Sequence, residues 1–183
     1  WIWLRECSGL LESYVVFRRE FTLFETPATA TLWIAAGTTF HVFLNGRYMT
    51  FGPAVCPTDD AYVTILDVSF LCETGNNSIA VLAHNTVVSR FGGRRKDGGI
   101  WAQVDIDGTP FVWTDAAWHC MALDAYAPNM PRASSASAFT EEVDLRRMPA
   151  QWTEHECDVS AWIHPDMCTS LGSTPGKLIA AHI

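Results

Sequence analysis

The stretch FHVFLNGRYMTFGP, from Phe40 to Pro53, sets Asn45-Gly46 between two short runs rich in aromatic and aliphatic residues. A two-residue connection between strands favours a type I′ turn, which needs positive φ at both central positions. Asn tolerates that geometry, and Gly has no Cβ to clash. The spacing predicts antiparallel strands at Phe40–Leu44 and Arg47–Phe51, closed at the far end by Gly52-Pro53. A chain committed to such a tight hairpin must find sheet partners for it nearby.

The flanking sequence supplies them. Tyr14–Leu23 and Ala30–Ala35 are β-branched and aromatic runs, broken by Pro27 and Gly37. Tyr62–Val68 alternates, Gly75-Asn76-Asn77 marks a turn, and Ser78–Ala83 (SIAVLA) has the continuous apolar character of a strand buried on both faces. Ile100–Ile106 turns at Asp107-Gly108 into Phe111–Thr114, a second hairpin signal. Phe139–Arg146 reads as a late strand with charges on alternate positions. Helical periodicity is nearly absent; the best helical candidate is a short turn at Cys157–Ile163, capped by Asp158 or Ser160. Tyr126–Ser137 holds two prolines and small polar residues, and reads as a long surface connection. Trp118 before it and Phe139 after it both look like core positions, so the chain is expected to return to the same sandwich. Together these signals predict an all-β protein, a jelly-roll β-sandwich with at most short helical turns, as a single domain over residues 1–183.

With 183 residues, 49% hydrophobic and 17% charged, the chain can bury a substantial core. Eight Trp and ten Phe call for a thick aromatic core, an exposed aromatic platform, or both. The net charge of −8 argues against a nucleic-acid partner. No apolar run approaches the roughly 18 to 20 residues of a membrane helix, so no membrane partner is expected. No signal-peptide pattern follows the opening Trp1. Six scattered cysteines, none in C-x-x-C, read as mostly buried free thiols and favour a reducing, cytoplasmic location over a secreted one.

Arg94-Arg95-Lys96 is the basic cluster, set among Gly92, Gly93, Gly98 and Gly99. It matches neither glycine-rich phosphate-binding pattern and reads as a solvated loop, with contact to an acidic ligand group or a neighbouring domain as the alternative. Glycoside hydrolysis requires two carboxyl groups roughly 5 to 10 Å apart across a sugar ring. Glu141 and Glu142 are adjacent, and neighbours in a strand point to opposite faces. His155, Glu156 and His164 lack the H-E-x-x-H spacing, and no G-x-S-x-G elbow is present. The chain alone is therefore not expected to be an enzyme. No cofactor is called for, although a structural calcium ion is left open.

Aromatic side chains are the stronger lead. Trp and Tyr faces stack on the C–H faces of sugars, while Asn, Asp and Arg bond the hydroxyls. Trp33, Trp101 and Trp113 lie within strands, where core packing is the alternative; Trp1, Trp3 and Trp118 read as core or domain-packing residues. The loop Pro53–Ala61 supplies Asp59 and Asp60, and the loop His84–Gly99 supplies Asn85, Arg90 and Arg94. If these loops lie together, the five side chains form a small polar pocket suited to carbohydrate hydroxyls; otherwise they pair with one another or face a further domain.

WIWL (Trp1–Leu4), FRREF (Phe17–Phe21), ATLWIAAGTTFHVFLNGRYMTFGP (Ala30–Pro53), YVTILDV (Tyr62–Val68) and GNNSIAVLAHN (Gly75–Asn85) occur in that order, followed by DGTPFVWTDAAW (Asp107–Trp118), EEVDLRRMPAQW (Glu141–Trp152) and DVSAW (Asp158–Trp162). This ordered set resembles the N-terminal, galactose-binding-like β-sandwich of bacterial α-L-rhamnosidases, glycoside hydrolase family 78. The resemblance implies a domain placed before an (α/α)6 barrel that carries the catalytic acid and base. It thus implies a piece of a larger hydrolase, from the N-terminal part, that does not itself hydrolyse. Its implied role is a non-catalytic carbohydrate-binding or substrate-positioning accessory domain, with a purely structural inter-domain scaffold as the alternative. Its implied partners are carbohydrate and the parent's own catalytic domain.

Overall fold

The computed structural model describes residues 1–37, 39–54, 60–88, 96–168 and 178–180. Twelve strands run through it: β1 Ile2–Trp3, β2 Glu12–Leu23, β3 Ala30–Ala36, β4 Thr39–Leu44, β5 Arg47–Gly52, β6 Ala61–Asp67, β7 Gly75–Thr86, β8 Ile100–Ile106, β9 Thr109–Trp113, β10 His119–Ala122, β11 Asp166–Met167 and β12 Leu178–Ala180. Three 3-10 turns, at Arg5–Cys7, Ser69–Leu71 and Leu145–Arg147, are the helical elements among the described residues.

Both hairpins form at the Gly-containing dipeptides. Asn45 and Gly46 sit at φ 49° and 77°, and Asp107 and Gly108 repeat those values. These positive angles are the I′ geometry that keeps flanking strands twisted together. The Asn45 side chain does more than tolerate the turn. Its Nδ2 donates to Leu71 O at 2.8 Å and to Asn77 Oδ1 at 2.9 Å. In β5 the pairing slips by one residue between Val42 and Phe43, a bulge that increases local twist.

The strands assemble into two sheets, β11-β1-β8-β3-β6-β12 with β9 also on β8, and β10-β2-β7-β4-β5. They pack as a β-sandwich. Alternation decides what lies between them: Leu32 and Ile34 of β3, Ala102 and Val104 of β8, Val15 and Phe17 of β2, and Phe40, Val42 and Leu44 of β4 share one core with Trp3 and Trp118. Each large side chain removed from water there contributes about 1.5 to 3 kcal/mol.

The apolar continuity of SIAVLA has a visible cause. Ile79, Val81 and Ala83 face the sandwich core, while Leu82 faces outward under a second apolar cluster. That cluster joins Tyr14 and Val16 to Leu123, Cys157 and Trp162 of the long segment after β10. The segment covers the five-stranded sheet, so β2 and β7 are buried on both faces.

One expected strand is absent. Phe139–Arg146 is not a strand: it makes isolated bridges, Arg132 to Phe139 and Tyr126 to Val143, and then enters the turn at Leu145–Arg147. Cys157–Ile163 forms the expected short turn, closed by a bond from Trp162 N to Val159 O at 2.9 Å. Asp158 Oδ1 accepts from Ser160 N at 2.9 Å, a local turn bond, and Ile163 then bridges to Cys120. Cys7, Cys72, Cys120 and Cys157 are buried free thiols and Cys168 is half-buried, while Cys56 lies outside the described residues.

Candidate functional site

At one end of the β2–β7 ladder, Glu12 pairs with Thr86, Ser13 with Asn85 and Tyr14 with His84. Because successive residues of a strand point to opposite faces, Glu12, Tyr14, His84 and Thr86 share the outer face, while Ser13 and Asn85 point inward. The outward group is roofed by the segment after β10. Tyr14 is held between two rings, Tyr126 at 3.7 Å and His84 at 3.9 Å between centroids, both stacked within 8° of parallel.

The Tyr14 hydroxyl stands between two carboxyl groups, 3.2 Å from Glu12 Oε1 and 3.1 Å from Glu141 Oε1. His84 Nε2 lies 3.2 Å from the same Glu12 oxygen, and the Glu12 side chain is only 4% exposed. Burial pushes the Glu12 carboxyl above the usual range, and the Glu141 charge adds to this; the Tyr14 hydroxyl and the Met130 N–H partly offset it. Burial and the two neighbouring carboxylates drive the Tyr14 hydroxyl far up, so it stays protonated. A phenol has one proton to give, and it can serve one of its two carboxyl neighbours at a time.

Beside this cluster lies a cavity of about 410 Å³, lined by Glu12, Ser13, Tyr14, Leu123, Tyr126 and Arg147 among others. Arg147 pairs at its mouth with Asp124. A smaller cavity of about 220 Å³ lies between Arg18, Arg19 and His119. There Arg18 donates to Trp152 O and pairs with Glu20 at 2.7 Å, and Arg19 donates to Ala117 O, while the buried Nε of each has no partner.

The opposite outer surface belongs to the seven-stranded sheet. With Leu32, Ile34, Ala102 and Val104 facing the core, Trp33, Trp101, Gln103 and Asp105 must face out. Trp113, Gln103, Trp33 and Ile65 form one row across four strands. Asp105 accepts from Trp33 Nε1 at 2.9 Å and from Gln103 Nε2 at 2.7 Å. Trp33 and Trp101 are half-buried with Trp1 against Ala35, Ala61 and Val63, and Trp113 is 50% exposed. Trp3 and Trp118 are core.

Of the five side chains expected around a sugar, Asp59, Arg90 and Arg94 lie outside the described residues. Asp60 precedes β6, and its carbonyl accepts from Lys96 Nζ. Asn85 is not a loop residue: it belongs to β7, fully buried, and neither Nδ2 nor Oδ1 has a partner. Lys96 departs from the solvated-loop reading as well, being 8% exposed and bonded to that carbonyl. Glu12, Tyr14, His84, Tyr126 and Glu141 were not foreseen as a group. The spacing Glu12-x-Tyr14 signals a shared strand face, but His84 and Glu141 join it only through register and a long connection.

No family model matches the chain, and no curated protein does. Solved structures do. A GH78 family rhamnosidase of Bacillus sp. GL1 is 27% identical, with a TM-score of 0.91 over 98% of this chain. The chain resembles part of a GH78 rhamnosidase. It spans 19% of that enzyme's length. The α-L-rhamnosidase of Streptomyces avermitilis, solved with L-rhamnose, is 21% identical with a TM-score of 0.67 over 93% of this chain and 17% of its own. The lectin of Pleurotus ostreatus, solved with GalNAc, shares the fold at 18% identity and a TM-score of 0.62, covering 98% of this chain and 46% of the lectin.

Proposed function

We propose that the chain is a non-catalytic, carbohydrate-binding or substrate-positioning accessory domain of an α-L-rhamnosidase-like glycoside hydrolase. One observation carries the reading: nearly the whole chain matches a stretch that makes up only 19% of a GH78 rhamnosidase, leaving most of such an enzyme to house the reaction elsewhere. The lectin with the same fold supports the binding half of the proposal. The arrangement of Glu12 and Glu141 supports the non-catalytic half. Retaining and inverting glycosidases keep the space between their carboxyls open for the sugar, whereas here the Tyr14 phenol stands there and is clamped between two rings.

A scaffold role is the second reading, and the tryptophan row on the seven-stranded sheet favours it. Trp33, Trp101 and Trp113 with Ile65 make an apolar outer face of the kind that packs on a neighbouring module. Affinity electrophoresis through gels containing rhamnose-bearing polysaccharide separates the two. Retardation relieved by free L-rhamnose is the expected result. Unchanged mobility in every such gel, with complex formation on adding the parent's remaining chain, would replace binding by scaffolding.

A further inference from the structure

Among the described residues, several buried polar atoms without partners lie together at one end of the β2–β7 ladder. Glu12 Oε2, Ser13 Oγ, Thr86 Oγ1 and both side-chain atoms of Asn85 lie within two successive rungs of the β2–β7 ladder, and none makes a hydrogen bond. An unmet buried polar group is costly, and folded proteins retain few without water or a ligand to satisfy them. Here both faces of one ladder end carry them, and Glu12, on the outer face, lines the cavity of about 410 Å³.

We propose that this cavity, between the start of β2 and the strap Leu123–Pro128, binds one neutral sugar ring through the Glu12 carboxyl group. The proposal rests on the carbohydrate-binding reading above and places its site. The volume lies within the range of small-molecule pockets and admits a monosaccharide. The other charged groups around it already have partners, Asp124 with Arg147 and Glu141 with the Tyr14 hydroxyl, and burial disfavours the charged form of Glu12. A ligand therefore need bring no charge, and a free anion would meet carboxylates on entry. Glu12 Oε2 offers an acceptor to a hydroxyl group, while Leu123, Pro128 and the Tyr126 ring supply an apolar wall for C–H faces. Glu12 is held by His84 and Tyr14 before any ligand arrives, which lowers the cost of ordering it on binding.

The test is titration of the isotope-labelled 183-residue chain with L-rhamnose, D-galactose and GalNAc, followed by amide NMR. At least one sugar is expected to shift residues 12–14, 122–128 and 147, with a dissociation constant of about 1 mM to 10 mM for a single exposed-mouth ring. Glu12→Gln, nearly isosteric, should weaken it several-fold, and Ala127→Trp, which fills the cavity wall, should abolish it. Trp33→Ala, on the opposite face, should leave the constant unchanged. Shifts that gather at Trp33, Trp101 and Trp113 and survive Ala127→Trp would overturn this site while leaving carbohydrate binding intact. No shift with any of the three sugars at 100 mM would overturn the binding reading and the site with it.

Discussion

Asn45 Oδ1 accepts a hydrogen bond from the Ser78 backbone N–H at 2.7 Å, fastening the tip of the β4–β5 hairpin to β7. The residue that permits the turn also anchors it. Asn45→Gly separates the two roles, because glycine keeps the positive φ and removes the side chain. With Ser78 N, Leu71 O and Asn77 Oδ1 each losing a partner, the variant should lose about 1 to 3 kcal/mol, or roughly 2 to 4 °C in Tm per kcal/mol for a chain of this size. Thermal denaturation by circular dichroism reads the loss. An unchanged Tm would mean that Asn45 serves the turn alone.

Gly46 beside it carries a second constraint. It sits at φ 77°, and an added Cβ would fall 2.6 Å from Glu154 Oε1. Gly46→Val therefore meets backbone strain and a carboxylate together, and should cost at least about 1 to 3 kcal/mol from the backbone alone. The double variant Gly46→Val, Glu154→Ala removes the collision and keeps the strain. Partial recovery of Tm in the double variant is the expected result, and full recovery would show that φ is not what selects glycine here.

The hairpins, the two-sided burial of β7 and the core alternation were legible because each is a local pattern: a turn dipeptide, an apolar run, a period of two. The resemblance in ordered motifs also held against the solved rhamnosidases. Phe139–Arg146 misled for a physical reason. Its alternating charges mimic a strand, but its bridges run to Arg132 and Tyr126, so its pairing is set by how the long connection folds on itself. The polar cluster was illegible for the same reason. Tyr14 meets Glu141 only because 126 residues of intervening chain return across the outer face of the sheet, and Asn85 looked like a loop residue until β7 proved to run on to Thr86.

Gly98 shows how tightly the core closes. A Cβ there would stand 2.5 Å from Trp3 Nε1, inside the fully buried indole of the core. Overpacking of this kind costs about 1 to 3 kcal/mol. Gly98→Ala should lower Tm and shift tryptophan emission to the red as Trp3 is displaced toward water. Combining it with Trp3→Phe, a smaller ring, should make the glycine change milder than in the wild-type background. Equal losses in both backgrounds would separate Gly98 from Trp3.

The buried carboxyl predicts a pH signature. Because burial raises the Glu12 value in the fold, its ionised form is disfavoured there. The stability it contributes is fully present below its unfolded value and is lost as pH rises through its folded value. Glu12→Gln has no such titration, so it should be more stable than wild type at pH 7. That advantage should shrink as pH falls toward the ordinary carboxylate range near about 4.3. Asp67, Asp144 and Asp158, held low mainly by hydrogen bonds from Ser69, Arg146 and Ser160, lose stability as pH falls, but equally in both proteins, so the difference isolates Glu12. A difference in Tm that stays flat between pH 4 and pH 7 would show that the Glu12 carboxyl titrates alike in the folded and unfolded states.

The same cluster makes a prediction about chemistry. Hydrolysis of a rhamnoside needs a general acid and a second carboxylate facing the anomeric carbon from opposite sides. Glu12 and Glu141 approach each other closely enough to suggest such a pair, yet the Tyr14 hydroxyl bonds both, and its ring is stacked against Tyr126 and His84. No sugar ring enters between them without displacing a buried tyrosine. The purified chain should therefore release no nitrophenol from an aryl α-L-rhamnoside at any pH from 4 to 9, and Tyr14→Phe, which keeps the ring in place, should be equally silent. Turnover that survives repurification and disappears in Glu141→Gln would make the pair catalytic and the accessory-domain reading wrong.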